Sequence, residues 1–227
     1  MTAIAPPRVF VAFSQGASSA EVPVDARSTA YRVEFVRARR GQLPFSPPEP
    51  GTEWQRLEAS SPLGSAQGLC GVTQHVLYTS AAEREILTRT SAKESGPWAV
   101  LIPIRKSAAW WALAQDQRLA LFHARRADGS DQVGTGHPRS GTDGGTESGT
   151  ERGHYSVGAR YAHRIYRRLY HARYLTDGAW DFLTYFEFPD GERATFEALL
   201  ADLRDERLNP EWAYVEAEVE FWLRREN

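Results

Sequence analysis

The order of patterns in the second half of the chain restricts its fold more than any other sequence feature. Apolar residues spaced i, i+3, i+4 and i+7 predict a helix over 192–204, and strict alternation predicts a strand over 212–222. Before them, an apolar strand pattern covers 98–104, and helix patterns follow Ser107 and cover 154–163. Two aromatic-rich strand patterns then cover 164–175 and 179–188. The two aromatic strands are joined by a turn at 176–178. Strand, helix, strand, strand, helix, strand is the order of a ferredoxin-like unit.

The first half of the chain carries weaker patterns. Strands are predicted over 8–13, 30–36 and 70–78, a short helix over 81–87, and mostly loop over 41–69, which is rich in Pro, Gly and Ser. We interpret residues 1–97 as a shortened ferredoxin-like half and residues 98–227 as a complete one. The fold class is therefore predicted to be α+β.

A segment of very different composition interrupts the second half. Residues 127–153 contain eight of the 18 glycines, and their only aliphatic residues are Ala127 and Val133. Such a segment cannot bury enough surface to offset its ordering entropy. We expect a flexible insertion within the C-terminal half.

Composition excludes several classes of function. The single Cys70 among 227 residues rules out a disulfide framework and a cysteine-based zinc site. A net charge of −2 gives no support for nucleic-acid or membrane partners. No apolar run approaches the roughly 20 residues that span a bilayer, and no secretory leader is visible, so we expect a cytoplasmic protein.

Five polar and aromatic residues stand out near the predicted helices and strands: Lys106, Trp110, Trp111, His154 and Arg167. Each of them has an ordinary structural interpretation when it is considered alone. A tryptophan pair on a helix usually belongs to a core, and arginines in a run usually face solvent.

The combination of sequence blocks is more specific. LIPIRKSAAWWALAQDQR, HYSVGARY, YRRLYH and DFLTYFEF, in this order, resemble the chlorite dismutase family of haem proteins, and most of all its short dimeric branch. The resemblance covers about residues 70–222. It implies a homodimeric α+β barrel of two ferredoxin-like halves, with haem b and its iron in the C-terminal half.

The resemblance also implies an iron ligand and a catalytic residue. In the family, the axial histidine lies thirteen residues before an arginine on the opposite side of the haem, which gives His154 and Arg167. The ligand position can also be counted forward from the tryptophan pair. Without a gap, that count gives Arg125, which cannot bind iron. The glycine-rich insertion between the tryptophan pair and His154 explains why the two counts differ. His123 is the alternative ligand.

Other positions follow from the same resemblance. Glu211 matches the acidic residue that holds the second ring nitrogen of the axial histidine, with Glu206 as the alternative. Lys106 and Trp110 match positions beside the haem propionates and the haem edge. Trp111 is expected in the core or at a subunit contact.

Helix geometry adds a constraint on the proposed pair. In one continuous helix, thirteen residues at 1.5 Å each would separate His154 from Arg167 by about 20 Å, which is too far for two groups that flank one iron. We therefore expect the helix to end near residues 161–163 and Arg167 to lie on a strand that turns back.

The implied reaction converts chlorite, or a similar small oxyanion, to chloride and dioxygen by O–Cl cleavage and O–O bond formation. One alternative is a coproheme decarboxylase, but Ile102 stands where that branch has its catalytic tyrosine, and that branch lacks the arginine matched by Arg167. A haem-binding or peroxidase-like protein with another substrate, and a barrel without haem, also remain open.

Overall fold

The structure is a computed structural model that describes residues 8–15, 23–41, 46–63, 68–73, 92–93, 96–123, 152–175 and 179–226. The predicted helix at 81–87, the turn at 176–178, Arg125 and nearly all of the glycine-rich insertion lie outside these residues. None of the helices in the described ranges has the length and apolar character needed to cross a bilayer.

Eight antiparallel strands form a closed barrel with helices on its outer surface. The strands are β1 (Phe10–Gln15), β2 (Arg27–Arg40), β3 (Glu53–Ala59), β4 (Leu69–Val72), β5 (Trp98–Lys106), β6 (Tyr166–His171), β7 (Phe182–Phe188) and β8 (Val215–Arg225). The helices are α1 (Ala108–Ala112), α2 (Gln115–Phe122), α3 (His154–Tyr161) and α4 (Arg193–Arg204), with 3-10 turns at Asp190–Glu192 and Pro210–Tyr214. The fold is thus a mixed α and β fold, as predicted.

The two halves of the chain repeat one strand order. Around the closed barrel the order is β1-β3-β2-β8-β5-β7-β6-β4. The first half therefore reads β4-β1-β3-β2 and the second half reads β8-β5-β7-β6. In each half the spatial order is fourth, first, third and second strand. The halves join where β2 pairs with β8 over a long register and where β4 meets β6 at Val72 and His171.

Alternating residues of the strands form two separate cores. One core fills the barrel and takes residues from all eight strands, for example Phe13, Tyr31 and Leu183. The other lies outside β5 and β7, where Ile102, Phe186 and Phe188 pack beneath α3 and α4. The predicted apolar positions of α4 are confirmed as buried: Phe196, Leu199, Leu200 and Leu203.

One prediction of secondary structure is incomplete and another is wrong. The described part of residues 41–69 is mostly irregular, as predicted, but β3 lies within it and pairs with both β1 and β2. The helix after Ser107 is not continuous, because Leu113 and Ala114 are extended and separate α1 from α2. The Gln117 side chain accepts a hydrogen bond from the Ala114 backbone and so caps the second helix.

Candidate haem site

His154 is the first residue of α3 and its position depends on the glycine before it. Gly153 has φ 102°, a left-handed conformation that favours glycine, and its backbone N–H donates to the Leu208 carbonyl at 2.7 Å. A Cβ at Gly153 would approach the His123 carbonyl oxygen to 2.3 Å. The chain therefore brings the start of α3 directly against the end of α2, which buries the His154 side chain.

Both ring nitrogens of His154 face a charged group. Nε2 lies 2.7 Å from Nη2 of Arg167, and Nδ1 lies 3.4 Å from Oε2 of Glu211. Because a guanidinium can only donate, Nε2 must carry the lone pair and Nδ1 the proton. Burial lowers the pKa of His154 to about 3, although Glu211 opposes this effect. The neutral imidazole therefore presents Nε2 as an electron-pair donor, the form that binds a metal.

Glu211 connects the histidine to a buried lysine. It lies in the 3-10 turn before β8, and its Oε1 accepts a hydrogen bond from the Lys106 ammonium at 2.7 Å. Lys106 donates also to the Glu211 carbonyl at 3.3 Å. Burial opposes ionisation of Glu211, but Lys106 outweighs burial and lowers its pKa. The carboxylate is thus ionised, and its second oxygen faces Nδ1 of His154.

The surroundings of Lys106 and of the two acidic candidates differ. The ammonium of Lys106 is buried against Glu211, and the residue lines the same cavity, so its place beside a haem propionate stays a prediction. Of the two acidic candidates, Glu211 reaches His154, whereas Glu206 lies at the surface, 3.4 Å from Arg40.

Arg167 reaches the histidine from the sheet. α3 ends at Tyr161 and β6 begins at Tyr166, so the expected reversal of the chain between His154 and Arg167 is confirmed. The residue is half-buried, and burial lowers the pKa of its guanidinium from the ordinary value. Gly158, one turn after His154 on α3, leaves room for it, because a Cβ there would lie 3.2 Å from Nη1.

The two tryptophans of α1 have different surroundings. Trp110 is 1% exposed, and its ring lies 4.6 Å from the Lys106 ammonium. No described residue offers a hydrogen-bond acceptor to its buried Nε1. Trp111 stacks on Phe182 at 6.2 Å and donates to Asp181 at 3.4 Å, which agrees with the expected packing role.

A cavity joins these groups. It lies between the start of α3 and the outer face of β5–β7, and the residues that line it are Ile104, Lys106, Trp110, Phe122, His154, Arg167, Leu169, Phe182, Thr184, Glu211 and Trp212. A second cavity continues along α3 past Gly158. Phe122 and Arg167 line both cavities, so the two are neighbours.

Two site residues were not anticipated from the sequence. The ring of Phe122 stacks on His154 at a centroid distance of 5.2 Å and an interplanar angle of 17°. Gly158 could have been found, since a glycine four residues after a candidate ligand shares its helix face. Phe122 gives no such signal, because the insertion separates it from His154. His123 ends α2 and does not line either cavity.

Solved structures of chlorite dismutases resemble this chain in fold. The structure is similar to the dimeric chlorite dismutase of Nitrobacter winogradskyi, with a TM-score of 0.64 and 29% sequence identity over 96% of this chain and 99% of that chain. An arginine-to-glutamate variant of the chlorite dismutase of Candidatus Nitrospira defluvii has a TM-score of 0.59 and 18% identity, covering 97% of this chain and 91% of that chain.

The same Nitrospira enzyme in complex with imidazole has a TM-score of 0.58 and 19% identity, with 97% and 90% covered. At this identity, the Nitrospira structures show the fold alone. No family model matches the sequence, and no curated protein matches it. The shared fold and the 29% identity over nearly the whole of both chains support the placing of this chain in the chlorite dismutase family.

Proposed function

We propose that this chain binds haem b through His154 and decomposes chlorite to chloride and dioxygen. The observation that carries the proposal is that His154 and Arg167 line one cavity; the 2.7 Å contact between His154 Nε2 and Arg167 Nη2 would open to admit the cofactor. One group is a neutral nitrogen donor and the other a fixed positive charge, and they belong to a helix and a strand that face each other.

The residues present fit a haem group. Haem supplies a redox-active iron with one coordination position left for substrate. His154 would hold the iron through Nε2, and Glu211 would fix the ring through Nδ1, as carboxylates do for metal-bound histidines. Trp110 offers a buried N–H without an acceptor, which suits a polar group at the edge of the cofactor. Gly158 keeps the face of α3 flat beside the ligand.

Arg167 would bind the anionic substrate. A guanidinium forms charge-assisted hydrogen bonds to small oxyanions, and it can retain a negatively charged fragment until the reaction is complete. Leu169 and Phe182 line the same cavity and would exclude water and competing reductants. Ile102, 2% exposed in β5, carries no phenol, which argues against decarboxylation of coproheme.

We infer further that the chain is a homodimer of two-half barrels. The strand order supports a ferredoxin-like description of residues 1–97 and 98–227, with the first half shortened. The homodimer is supported by the solved structure from Nitrobacter winogradskyi, which is described as dimeric.

A haem titration followed by chlorite addition tests the proposal. We expect a Soret band that saturates at one haem per chain, and then release of dioxygen measured with an oxygen electrode. The absence of a Soret band would exclude haem binding. If the chain binds haem but releases no dioxygen from chlorite, haem binding stands and chlorite decomposition is excluded.

The ligand is tested by two histidine variants. His154→Ala should abolish high-affinity haem binding, because His154 lines the cavity and His123, the other candidate ligand, does not. His123→Ala is the matched control, since it removes the neighbouring histidine at the end of α2, and it should bind haem like the wild type. Loss of the Soret band only in His123→Ala would show that the assignment is wrong.

A further inference from the structure

The interior of the barrel contains a hydrogen-bonded pair of tyrosines that the proposed reaction does not use. The hydroxyls of Tyr31 on β2 and Tyr185 on β7 lie 2.6 Å apart, and both are fully buried. Tyr185 donates its proton to Oε1 of Glu187 by a short hydrogen bond, and Tyr31, whose oxygen also lies 3.2 Å from Oε1, donates its single proton to the Tyr185 oxygen. Two phenols and one carboxylate thus form a closed cluster away from solvent.

Arg56 balances the charge of this cluster. Its guanidinium, 1% exposed, lies 3.5 Å from Glu187, 2.7 Å from Glu58 and 4.2 Å from the centre of the Tyr185 ring. Tyr170 completes the arrangement by donating to Glu58 at 2.6 Å. Each carboxylate therefore accepts a phenolic proton and is held by the same cation, so neither negative charge is left unpaired in the interior.

The cluster lies on the other face of the strands that line the candidate site. On β7, Thr184 lines the cavity and the next residue, Tyr185, points into the barrel. On β6, Arg167 faces α3, whereas Tyr166 contacts the Tyr185 ring at 6.4 Å. One layer of sheet therefore separates the tyrosines from the cavity.

Tyr185 has the surroundings that oxidation of a phenol requires. A phenol that loses one electron also loses its proton, so a base must already accept a hydrogen bond from it, and Glu187 does. Trp110, which lines the cavity, is less suited. A cation lies near both rings, but no described residue accepts the N–H proton of Trp110.

We propose that Tyr185 is a redox-active residue that supplies one electron to the haem when a peroxide has oxidised it. The inference rests on the haem binding proposed above. Hydrogen peroxide takes two electrons from the haem and two protons from solvent, its O–O bond breaks, and two molecules of water form. Tyr185 returns one electron to the haem, its O–H bond breaks, and the proton passes to Oε1 of Glu187. The products are a neutral tyrosyl radical, a protonated Glu187 and a haem that remains one electron short.

Freeze-quench electron paramagnetic resonance of the haem-loaded chain tests this step. One equivalent of hydrogen peroxide should produce a radical whose hyperfine pattern narrows when the chain contains ring-deuterated tyrosine. Tyr185→Phe should lose the signal, and Glu187→Gln should lose it as well, because an amide accepts a hydrogen bond but does not take the proton. Tyr174→Phe is the control: it removes a tyrosine that is 87% exposed and should leave the signal unchanged.

Further measurements keep the test independent of folding and of the proposed activity. Tyr31→Phe removes the hydrogen bond to the Tyr185 oxygen, so the g value of the radical should shift. The Soret band confirms haem loading before peroxide is added, and chlorite turnover is not needed for the readout. A signal unaffected by deuteration, a signal that persists in Tyr185→Phe, or no radical in a fully loaded wild type would overturn the proposal.

Discussion

Arg167 is a half-buried cation that contacts a neutral histidine. Its position thirteen residues after His154 could be inferred from the sequence blocks, and the structure brings the two side chains to 2.7 Å. The partner of Lys106 could not be inferred in the same way. Lys106 and Glu211 are 105 residues apart, and only the pairing of β5 with β8 brings them together.

Replacing Arg167 tests its role in substrate binding. Arg167→Ala should retain haem, since His154 is intact, but should lower the rate of chlorite turnover about 10²- to 10³-fold, as is typical for loss of one charge-stabilising donor. It should also accelerate bleaching of the haem by escaping oxidant. Dioxygen release and decay of the Soret band measure the two effects. The control is Arg164→Ala, which removes a surface arginine paired with Glu192. Equal rates in both variants would remove Arg167 from the mechanism.

At the scale of single elements, α3 combines the proposed ligand, His154, with a glycine that a helix would normally avoid. A glycine within a helix costs about 0.5–1 kcal/mol relative to alanine, so a close approach is the physical reason for Gly158. The Arg167 guanidinium is the group that approaches it. The sequence predicted α3 and its end correctly, because the apolar positions and the strand pattern after them are both local signals.

A β-branched residue in this helix tests the need for a flat face. Gly158→Val should weaken haem binding, because its side chain would enter the cavity that runs along α3. Arg160→Val places the same side chain two residues later, where the wild-type residue is 42% exposed and pairs with Asp202. Haem titration of both variants gives the comparison. If both bind haem like the wild type, the second cavity does not receive the cofactor.

β3 shows why one element was missed. A strand normally alternates apolar and polar residues, but the interior face of β3 carries Trp54, Arg56 and Glu58. Because two of these three inward residues are charged, the alternation disappears from the sequence. The strand can be recognised only with its partners, since the charges are neutralised by residues of β6 and β7.

At the scale of the whole molecule, the cluster around Arg56 ties the two halves together inside the barrel. Tyr31, Arg56 and Glu58 come from the first half, and Tyr185 and Glu187 from the second. Removing one member of a buried ion pair leaves its partner uncompensated. The cluster is therefore expected to contribute to the stability of the closed barrel.

Arg56→Met should lower the free energy of unfolding by about 3–5 kcal/mol, the usual cost of breaking a buried ion pair from one side. Arg32→Met is the matched control: it breaks an exposed pair with Glu226, so its effect should stay below about 1 kcal/mol. Urea unfolding measures the free energy of both variants, and the dependence of that free energy on urea concentration should stay unchanged. Similar midpoints for the two variants would show that the interior cluster does not stabilise the barrel.

Stability should also depend on pH through the same cluster. Burial opposes ionisation of Glu58, but Arg56, the Tyr170 hydroxyl and Arg168 outweigh it and lower its pKa from the usual 4.5. The unfolded chain therefore binds a proton before the folded chain does as the pH falls below 4.5. The wild type should lose stability there, and Arg56→Met should lose less, which unfolding curves measured between pH 6 and pH 3 would show.

The sequence by itself determined the order of elements in the second half, the apolar face of α4 and, through the resemblance, the residues His154, Arg167 and Glu211. These rest on periodicity and on short sequence blocks, both of which are local. Only the tertiary structure decided the partner of Lys106, the stacking of Phe122 on His154 and the charged interior of β3. Each of these depends on side chains that are distant in sequence, and closure of the barrel and packing of α2 against α3 bring them into contact.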